Sequence, residues 1–145
     1  MDKGATNMYP KIGEIYLMRF SGRSNEQSGV RPGLVFQNNL GNRYSPNIIA
    51  LPISSSVKKL DMPTHVLLQA EDTGLREDSF VMCENPQRMN KNNIIRYLTT
   101  LSDDDMRRIA EASLLATSAI SFLDIESLTR IWHKAKELNG HPGKK

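Results

Sequence analysis

An arginine at a strand entrance and a serine at a strand end are residue types that phosphate chemistry uses. Arg31 precedes Pro32, which biases the arginine backbone toward an extended conformation. Its guanidinium offers five donors in a planar fork and stays charged, so it suits a phosphate that gains charge during a reaction. Ser54 begins a run of three serines, where a hydroxyl can donate to a non-bridging phosphate oxygen. The alternative interpretations are a solvated arginine and ordinary turn chemistry.

Other polar residues lie near the predicted ends of strands. Glu84 and Asn85 end a hydrophobic run, and a carboxylate beside an amide can bind base edges or a ribose hydroxyl. Lys58 and Lys59 lie in a long connector, where backbone phosphate contacts and simple solvation are both reasonable interpretations. His65 has no neighbour in sequence that orients it as a base, so we interpret it as structural.

Composition narrows the class of protein. The chain has 145 residues, 39% hydrophobic and 24% charged, which predicts one globular domain. A net charge of +3 permits an anionic partner without requiring one. Cys83 is the only cysteine, and the three histidines are far apart, so we expect no disulfide and no metal or other cofactor. With no signal peptide and no apolar stretch of membrane length, we expect a cytoplasmic protein without membrane contact.

The elements that must position these residues begin with a sheet. Short runs rich in β-branched and aromatic residues are separated by Gly, Pro, Asn and Asp, which is typical of strands and turns. Five such runs without long intervening helices favour an antiparallel, strongly coiled sheet or small barrel. Residues 91–98 predict one or two helical turns. The predicted strands are residues 13–20, 33–38, 47–55, 65–69 and 79–84.

Two helices are predicted after the sheet, which makes the fold class α+β. The first spans residues 101–123, with Ser102 as its cap and an apolar stripe that packs on the sheet. The second spans residues 124–140, and its stripe packs on its own dimer, covers part of a groove, or caps the core. That stripe comprises Ile125, Leu128, Ile131, Trp132, Ala135 and Leu138.

Several segments, in this order and spacing, resemble the MazF/PemK family of toxins from toxin–antitoxin systems. They include "EQSGVRPGLVFQNNLGNRYSP", "PTHVLL", "DSFVMCEN" and "LSDDDM". The resemblance covers residues 12–123, leaving residues 1–11 as a leader and residues 124–145 as an additional amphipathic helix with a basic tail. It implies a small SH3-like antiparallel β-barrel with C-terminal helices, a homodimer, and a cognate antitoxin as partner.

The resemblance also implies a sequence-specific, metal-independent endoribonuclease that cleaves single-stranded RNA through a 2′,3′-cyclic phosphate. Arg31 matches the catalytic arginine, which stabilises the phosphorane and protonates the leaving oxygen. Ser54 stands where many members have a catalytic threonine, and Glu84 stands where relatives carry an acidic residue proposed as a base. Together with the connector lysines, the expected RNA-binding residues are Glu26, Gln27, Lys58, Lys59, Asn85 and Arg88.

Departures from the family pattern leave other functions open. Gln87 occupies the usual arginine position in "ENPQRMNK", and Met82 stands where related plasmid toxins place an arginine. One alternative is therefore an inactive relative that only binds RNA or an antitoxin-like partner. A second is a gyrase poison like the CcdB toxins, which share the fold but act through a terminal Trp-Gly-Ile. Trp132 lies inside an amphipathic segment here, which disfavours that alternative.

Overall fold

A computed structural model describes residues 9–21, 29–56 and 62–140, in which an antiparallel sheet is followed by two longer helices. This arrangement confirms the predicted α+β class. The strands are β1 (Glu14–Phe20), β2 (Gly29–Val35), β3 (Asn47–Ser54), β4 (His65–Leu68), β5 (Ser79–Met82), β6 (Gln87–Asn90) and β7 (Ile94–Thr100). The helices are α1 (Asn39–Tyr44), α2 (Ala70–Thr73), α3 (Asp103–Thr117) and α4 (Ile125–Leu138).

The sheet has the strand order β4-β5-β3-β2-β1-β7, and β6 pairs with β3 outside this path. All of these pairings are antiparallel. The first half of β3 pairs with β6, and its last residues, Ile53 and Ser54, pair with β5. A strand that passes from one ladder to another turns a corner in the sheet, as expected for a coiled, barrel-like fold.

Side chains of β1 are buried on both faces of the sheet. Ile15 belongs to one hydrophobic cluster, which includes Ile109 and Ala112 of α3. Tyr16, Met18 and Phe20 belong to a second cluster. Successive side chains of a strand point to opposite faces, so β1 contributes to two cores at once.

The polar motif "QNNLGNRYSP" builds a structural corner around α1. Asn42 is fully buried, and its amide nitrogen donates to Gln37 O at 2.8 Å and to Asn39 Oδ1 at 3.0 Å. Its Oδ1 accepts from Gln37 Nε2 at 3.0 Å. Asn38 caps α1 by accepting from the Gly41 amide at 2.8 Å. The buried amide groups of this cluster therefore find their hydrogen-bond partners within the cluster, which indicates a structural role.

The predicted helical turns at residues 91–98 are wrong beyond residue 93. Lys91–Asn93 form one 3-10 turn, and the chain then continues as β7. The segment "IIRYLTT" is rich in β-branched and aromatic residues, and β1 supplies the edge with which it pairs. The sequence also did not predict β6 or the short helices α1 and α2.

The first predicted helix is shorter than expected. Ser102 Oγ accepts from the Asp105 amide at 3.1 Å, which confirms the predicted cap of α3. The helix ends at Thr117 because Ser118 adopts a left-handed conformation with φ of 59°. Ile120 and Leu123, which the predicted helix of residues 101–123 included, therefore lie in and after a separate 3-10 turn.

The second predicted helix forms, but α4 buries none of its residues in this chain. Asp124 Oδ1 caps it by accepting from the Ser127 amide at 2.8 Å. Ile125 is 77% exposed and Trp132 is 57% exposed, so the apolar stripe does not pack on the core as the capping alternative requires. At the other end, Asn139 Oδ1 accepts from the Asn39 amide at 2.7 Å and attaches α4 to α1.

Candidate active site

Arg31 and Ser54 lie just beyond the end of the ladder between β2 and β3. Gly33 is the last β2 residue paired with β3, and it lies opposite Pro52. Continuing that register by two residues aligns Arg31 with Ser54, beyond the last residues that pair. The sequence prediction put Arg31 before a strand that begins at Gly33, but β2 begins at Gly29 and includes the arginine. Arg31 is thus fixed by pairing with β1 while the strand on its other side diverges.

Pro32 explains why the ladder stops there. The Phe36 amide donates to Ile49 O at 2.9 Å, so every second residue of β2 points its backbone N–H toward β3. Pro32 occupies one of these positions and has no N–H to donate to the carbonyl of Ile53. The two strands can therefore separate, and a space opens between their ends.

The hydroxyl of Ser54 is buried at this opening, with the residue 3% exposed. Its Oγ accepts from the Ser56 amide at 3.2 Å and lies 3.1 Å from the Ser56 hydroxyl oxygen. This is turn chemistry, as the alternative interpretation expected. It is also compatible with function, because the Ser54 hydroxyl proton can point into the opening when the Ser56 hydroxyl donates.

A cavity of about 720 Å³ contains both residues. Arg76, Glu77 and Arg96 also line it, so three arginines face one carboxylate among the described lining residues. A concave site with an excess of positive charge attracts polyanions such as nucleic acid. Further lining residues are the hydroxyl-bearing Ser55, Ser56 and Ser79, and the partly exposed ring of Tyr97.

Sequence reasoning missed Arg76, Glu77, Arg96 and Tyr97. Arg96 and Tyr97 belong to β7. Because that segment was predicted as helical turns, its side chains were not expected to lie beside those of β1 and β2. Arg76 and Glu77 lie in the connector "AEDTGLRED". A charged pair between a glycine and a buried strand was the sequence feature that could have indicated a functional loop.

Glu84 does not line this cavity. Ser54 pairs with Phe80 near the beginning of β5, whereas Glu84 follows the opposite end of that strand. The Glu84 carboxylate lies 2.9 Å from Nε2 of His65, whose side chain is only 6% exposed. Glu84 therefore contacts His65, the histidine that the sequence analysis interpreted as structural.

The remaining predicted RNA-binding residues are distributed over other parts of the chain. Asn85 lies in the turn after β5, where its amide donates to Met82 O at 3.1 Å. Arg88 lies on β6 opposite Ile49 and lines a separate open cavity of about 520 Å³. Glu26, Gln27, Lys58 and Lys59 lie outside the described residues.

Cys83 is an unreactive thiol by its environment. It is 3% exposed within the first hydrophobic cluster. Burial raises the pKa of Cys83 to about 11, and the negative charge of Glu84 acts in the same direction. The thiolate is the nucleophilic form, so this cysteine has no chemistry to offer near neutral pH.

Residues 9–21, 29–56 and 62–140 contain neither a candidate metal site nor a helix that could span a membrane. No group of three or more His, Cys, Asp or Glu side chains there is arranged to hold a metal ion. No helix in the same ranges combines the length and the apolar character needed to cross a membrane.

Comparison with known sequences identifies a family. The profile of the PemK-like, MazF-like toxins of type II toxin–antitoxin systems matches residues 11–115. Endoribonuclease EndoA of Bacillus subtilis (strain 168) is 35% identical over 116 residues, which cover 79% of this chain and 100% of the relative.

Solved structures share the fold. A crystal structure of MazF from Deinococcus radiodurans superposes with a TM-score of 0.65 at 18% identity, covering 77% of this chain and 98% of that one. An endoribonuclease from a mycobacterial species, in complex with its cognate antitoxin, superposes with a TM-score of 0.62 at 23% identity. That match covers 76% of this chain and 96% of the mycobacterial chain.

Proposed function

Since the chain belongs to the PemK-like, MazF-like toxin family of type II toxin–antitoxin systems, we propose that it is an endoribonuclease that cleaves single-stranded RNA in the cavity of Arg31 and Ser54. The observation that carries this proposal is that these two residues line one cavity, together with Arg76 and Arg96. A guanidinium and a hydroxyl that line one cavity can both donate to one phosphate. Tyr97 adds an aromatic ring, on which an unpaired base can stack.

The cleavage is an internal transfer at phosphorus. The 2′-oxygen attacks the adjacent phosphorus, the bond to the 5′-oxygen breaks, and a 2′,3′-cyclic phosphate and a 5′-hydroxyl result. Arg31 and Ser54 donate hydrogen bonds to the non-bridging oxygens, where negative charge accumulates in the transition state. Because the Ser54 hydroxyl is already positioned by Ser56, little reorganisation is needed when the phosphate binds.

Two protons must move in this reaction. Among the described residues, Glu77 is the carboxylate that lines the cavity, and we assign it the proton of the attacking 2′-hydroxyl. The Arg31 guanidinium donates a proton to the leaving 5′-oxygen. Glu77 thus takes up one proton and Arg31 gives one. Proton exchange with water then restores both side chains. Glu84, which lies outside the cavity, we assign to RNA binding instead of proton transfer.

RNA recognition extends beyond the cavity in this proposal. Asn85 and Arg88 bind RNA next to Glu84, on the surface formed by the turn after β5 and by β6. Glu26 and Gln27 precede β2 in the sequence, and Lys58 and Lys59 closely follow Ser54, so both pairs adjoin segments that line the cavity. The protein acts as a homodimer in the cytoplasm, where its RNA substrate is found, and a cognate antitoxin inhibits it.

The test is cleavage of several long single-stranded RNAs by purified protein in excess EDTA, beside Arg31→Ala. We expect discrete products ending in 2′,3′-cyclic phosphate, reduced about 10²–10³-fold in the variant. Folded wild-type protein that binds these RNAs but leaves them intact would instead support the inactive relative. Cleavage that EDTA abolishes would contradict the metal-independent chemistry.

A further inference from the structure

Arg96 reaches the cavity from the strand on the far side of β1. In the sheet register, Leu17 of β1 lies opposite Pro32 of β2 on one side and opposite Arg96 of β7 on the other. Directly opposed residues share a face of the sheet, and two strand spacings amount to about 10 Å. Arg96 therefore shares a face of the sheet with Pro32, whereas Arg31, the residue before Pro32, points to the other face. The two arginines line the same cavity from different sides.

Arg76 reaches the same cavity from a loop that is fixed on both sides. Before it, Leu75 is buried in the first hydrophobic cluster, and Thr99 of β7 donates its hydroxyl to Thr73 O at 2.8 Å. After it, Asp78 Oδ1 accepts from the Ala70 amide at 2.7 Å, which closes the loop. The backbone at Arg76 is therefore held beside the cavity.

The loop backbone next to Arg76 is fixed as well. Gly74 adopts φ of +86°, and its amide donates to Ala70 O at 3.0 Å, which ends α2 and turns the chain toward the cavity. Ser79 Oγ donates to Glu77 O at 2.9 Å. The charged pair therefore projects from a defined turn.

The positive charge of these two arginines is not compensated by an ion pair within the described chain. Ion pairs between described residues join Arg107 to Asp104, Arg108 to Asp105, Lys134 to Glu137 and His65 to Glu84. Arg76 and Arg96 belong to none of them, although arginines on α3 found acidic partners three residues away. Two arginines that line one cavity and make no ion pair with described residues are suited to bind an anion from solution.

We propose that Arg76 and Arg96 form a second anion subsite, which binds an RNA backbone phosphate beside the phosphate that Arg31 and Ser54 hold for cleavage. The inference rests on the proposed function, because it needs an RNA strand in the cavity. The subsite positions the strand and reads no base, since guanidinium contacts to phosphate carry no direct sequence information. Its contribution is to substrate affinity more than to the chemical step.

The experiment measures binding of a mixed-sequence, fully 2′-O-methylated RNA, which lacks the attacking hydroxyl, at several potassium chloride concentrations. Each phosphate contact to a single strand contributes about 0.7 to the slope of log affinity against log salt. Because the subsite holds one phosphate, we expect Arg76→Gln with Arg96→Gln to make that slope shallower by about 0.7, and to weaken binding similarly for RNAs of different sequence. With cleavable RNA, the double variant should raise KM more than it lowers kcat.

The matched control is Arg107→Gln, an exposed arginine on α3 that is paired with Asp104 and does not line the cavity. It should leave the salt slope unchanged. If the double variant keeps the wild-type slope, affinity and KM while wild-type protein cleaves RNA, the subsite is overturned and the proposed function stands. If wild-type protein neither binds nor cleaves RNA, the proposed function fails and the subsite fails with it.

Discussion

The Nε2 atom of His65 lies 2.9 Å from Oε2 of Glu84, which joins the start of β4 to the turn after β5. This contact occupies the carboxylate that resemblance to the family suggested as a base. The cavity of Arg31 and Ser54 contains a different carboxylate, that of Glu77. Glu77 and Glu84 are thus two candidate proton acceptors in different surroundings, and substituting each one separately tests which of them acts in cleavage.

Glu77→Gln should lower cleavage about 10²-fold or more, because it removes the proposed proton acceptor while keeping the shape of the side chain. Glu84→Gln should lower it less than about tenfold, since that side chain does not line the cavity. Single-turnover cleavage at saturating enzyme measures both. The reverse order of effects would return the proton-transfer role to Glu84.

Ser54→Ala should reduce kcat about 10²-fold, because it removes one donor to the phosphate oxygens. Ser54→Thr keeps a hydroxyl at the same atom and should retain most activity. Steady-state cleavage kinetics compare the two variants, and Ser121→Ala, on the exposed 3-10 turn after α3, serves as the control. Equal losses for Ala and Thr would mean that packing at this buried position matters, and not the hydroxyl.

Gly33→Ala should destabilise the fold by about 1–3 kcal/mol through overpacking. A Cβ at this position would lie 2.6 Å from Met18 Sδ and 2.8 Å from Phe20 Cζ, and both side chains are buried. Urea unfolding measures the loss. The same substitution should cost less in a Met18→Val background, where the sulfur is absent, and an equal cost in both backgrounds would exclude this contact as the cause.

Alkaline pH should destabilise the protein through Cys83. Its pKa is raised from 9.0 to about 11 in the folded state, so the unfolded chain loses the thiol proton first as pH rises. The stabilising contribution is complete below pH 9 and is lost as the pH increases toward 11. Urea midpoints at pH 8 and pH 10.5 should therefore fall more for wild-type protein than for Cys83→Ala. Parallel decreases in both proteins would refute the linkage.

Deletion of residues 124–145 should cost the fold about 1 kcal/mol or less, because α4 buries no residue and a hydrogen bond from Asn39 to Asn139 attaches it to α1. Asn139→Ala in the full chain should produce most of the same loss in a thermal melt. Light scattering of the truncated protein then distinguishes the two remaining roles of the apolar stripe. A lost dimer would place the stripe in the dimer interface, and an intact dimer would favour the groove.

The sequence predicted those parts of the fold whose local signals are strong. The bounds of β1 and β3 were correct to within a residue because their hydrophobic runs end at turn-forming residues. Ser102 was recognisable as a helix cap from its position before three aspartates. β6 was missed because "QRMN" has no strand pattern of its own and becomes a strand by pairing with β3.

The site was predictable as single residues but not as an arrangement. Arg31 and Ser54 were each identified, yet their place in one cavity depends on the pairing of β2 with β3, which neither segment encodes alone. Arg76 and Arg96 come from a loop and an edge strand far from Arg31 in the sequence. Only tertiary pairing brings them to the same cavity.

The missing amide proton at Pro32 also limits what can associate with this edge of β2. Exposed strand edges are templates for the addition of further strands, both in aggregation and in the capture of extended peptides. An added strand needs a donor at every second residue, and proline withholds one beside the cavity. A peptide or a second copy of the chain therefore finds no continuous ladder to extend here, which leaves the entrance open to a ligand held by side chains.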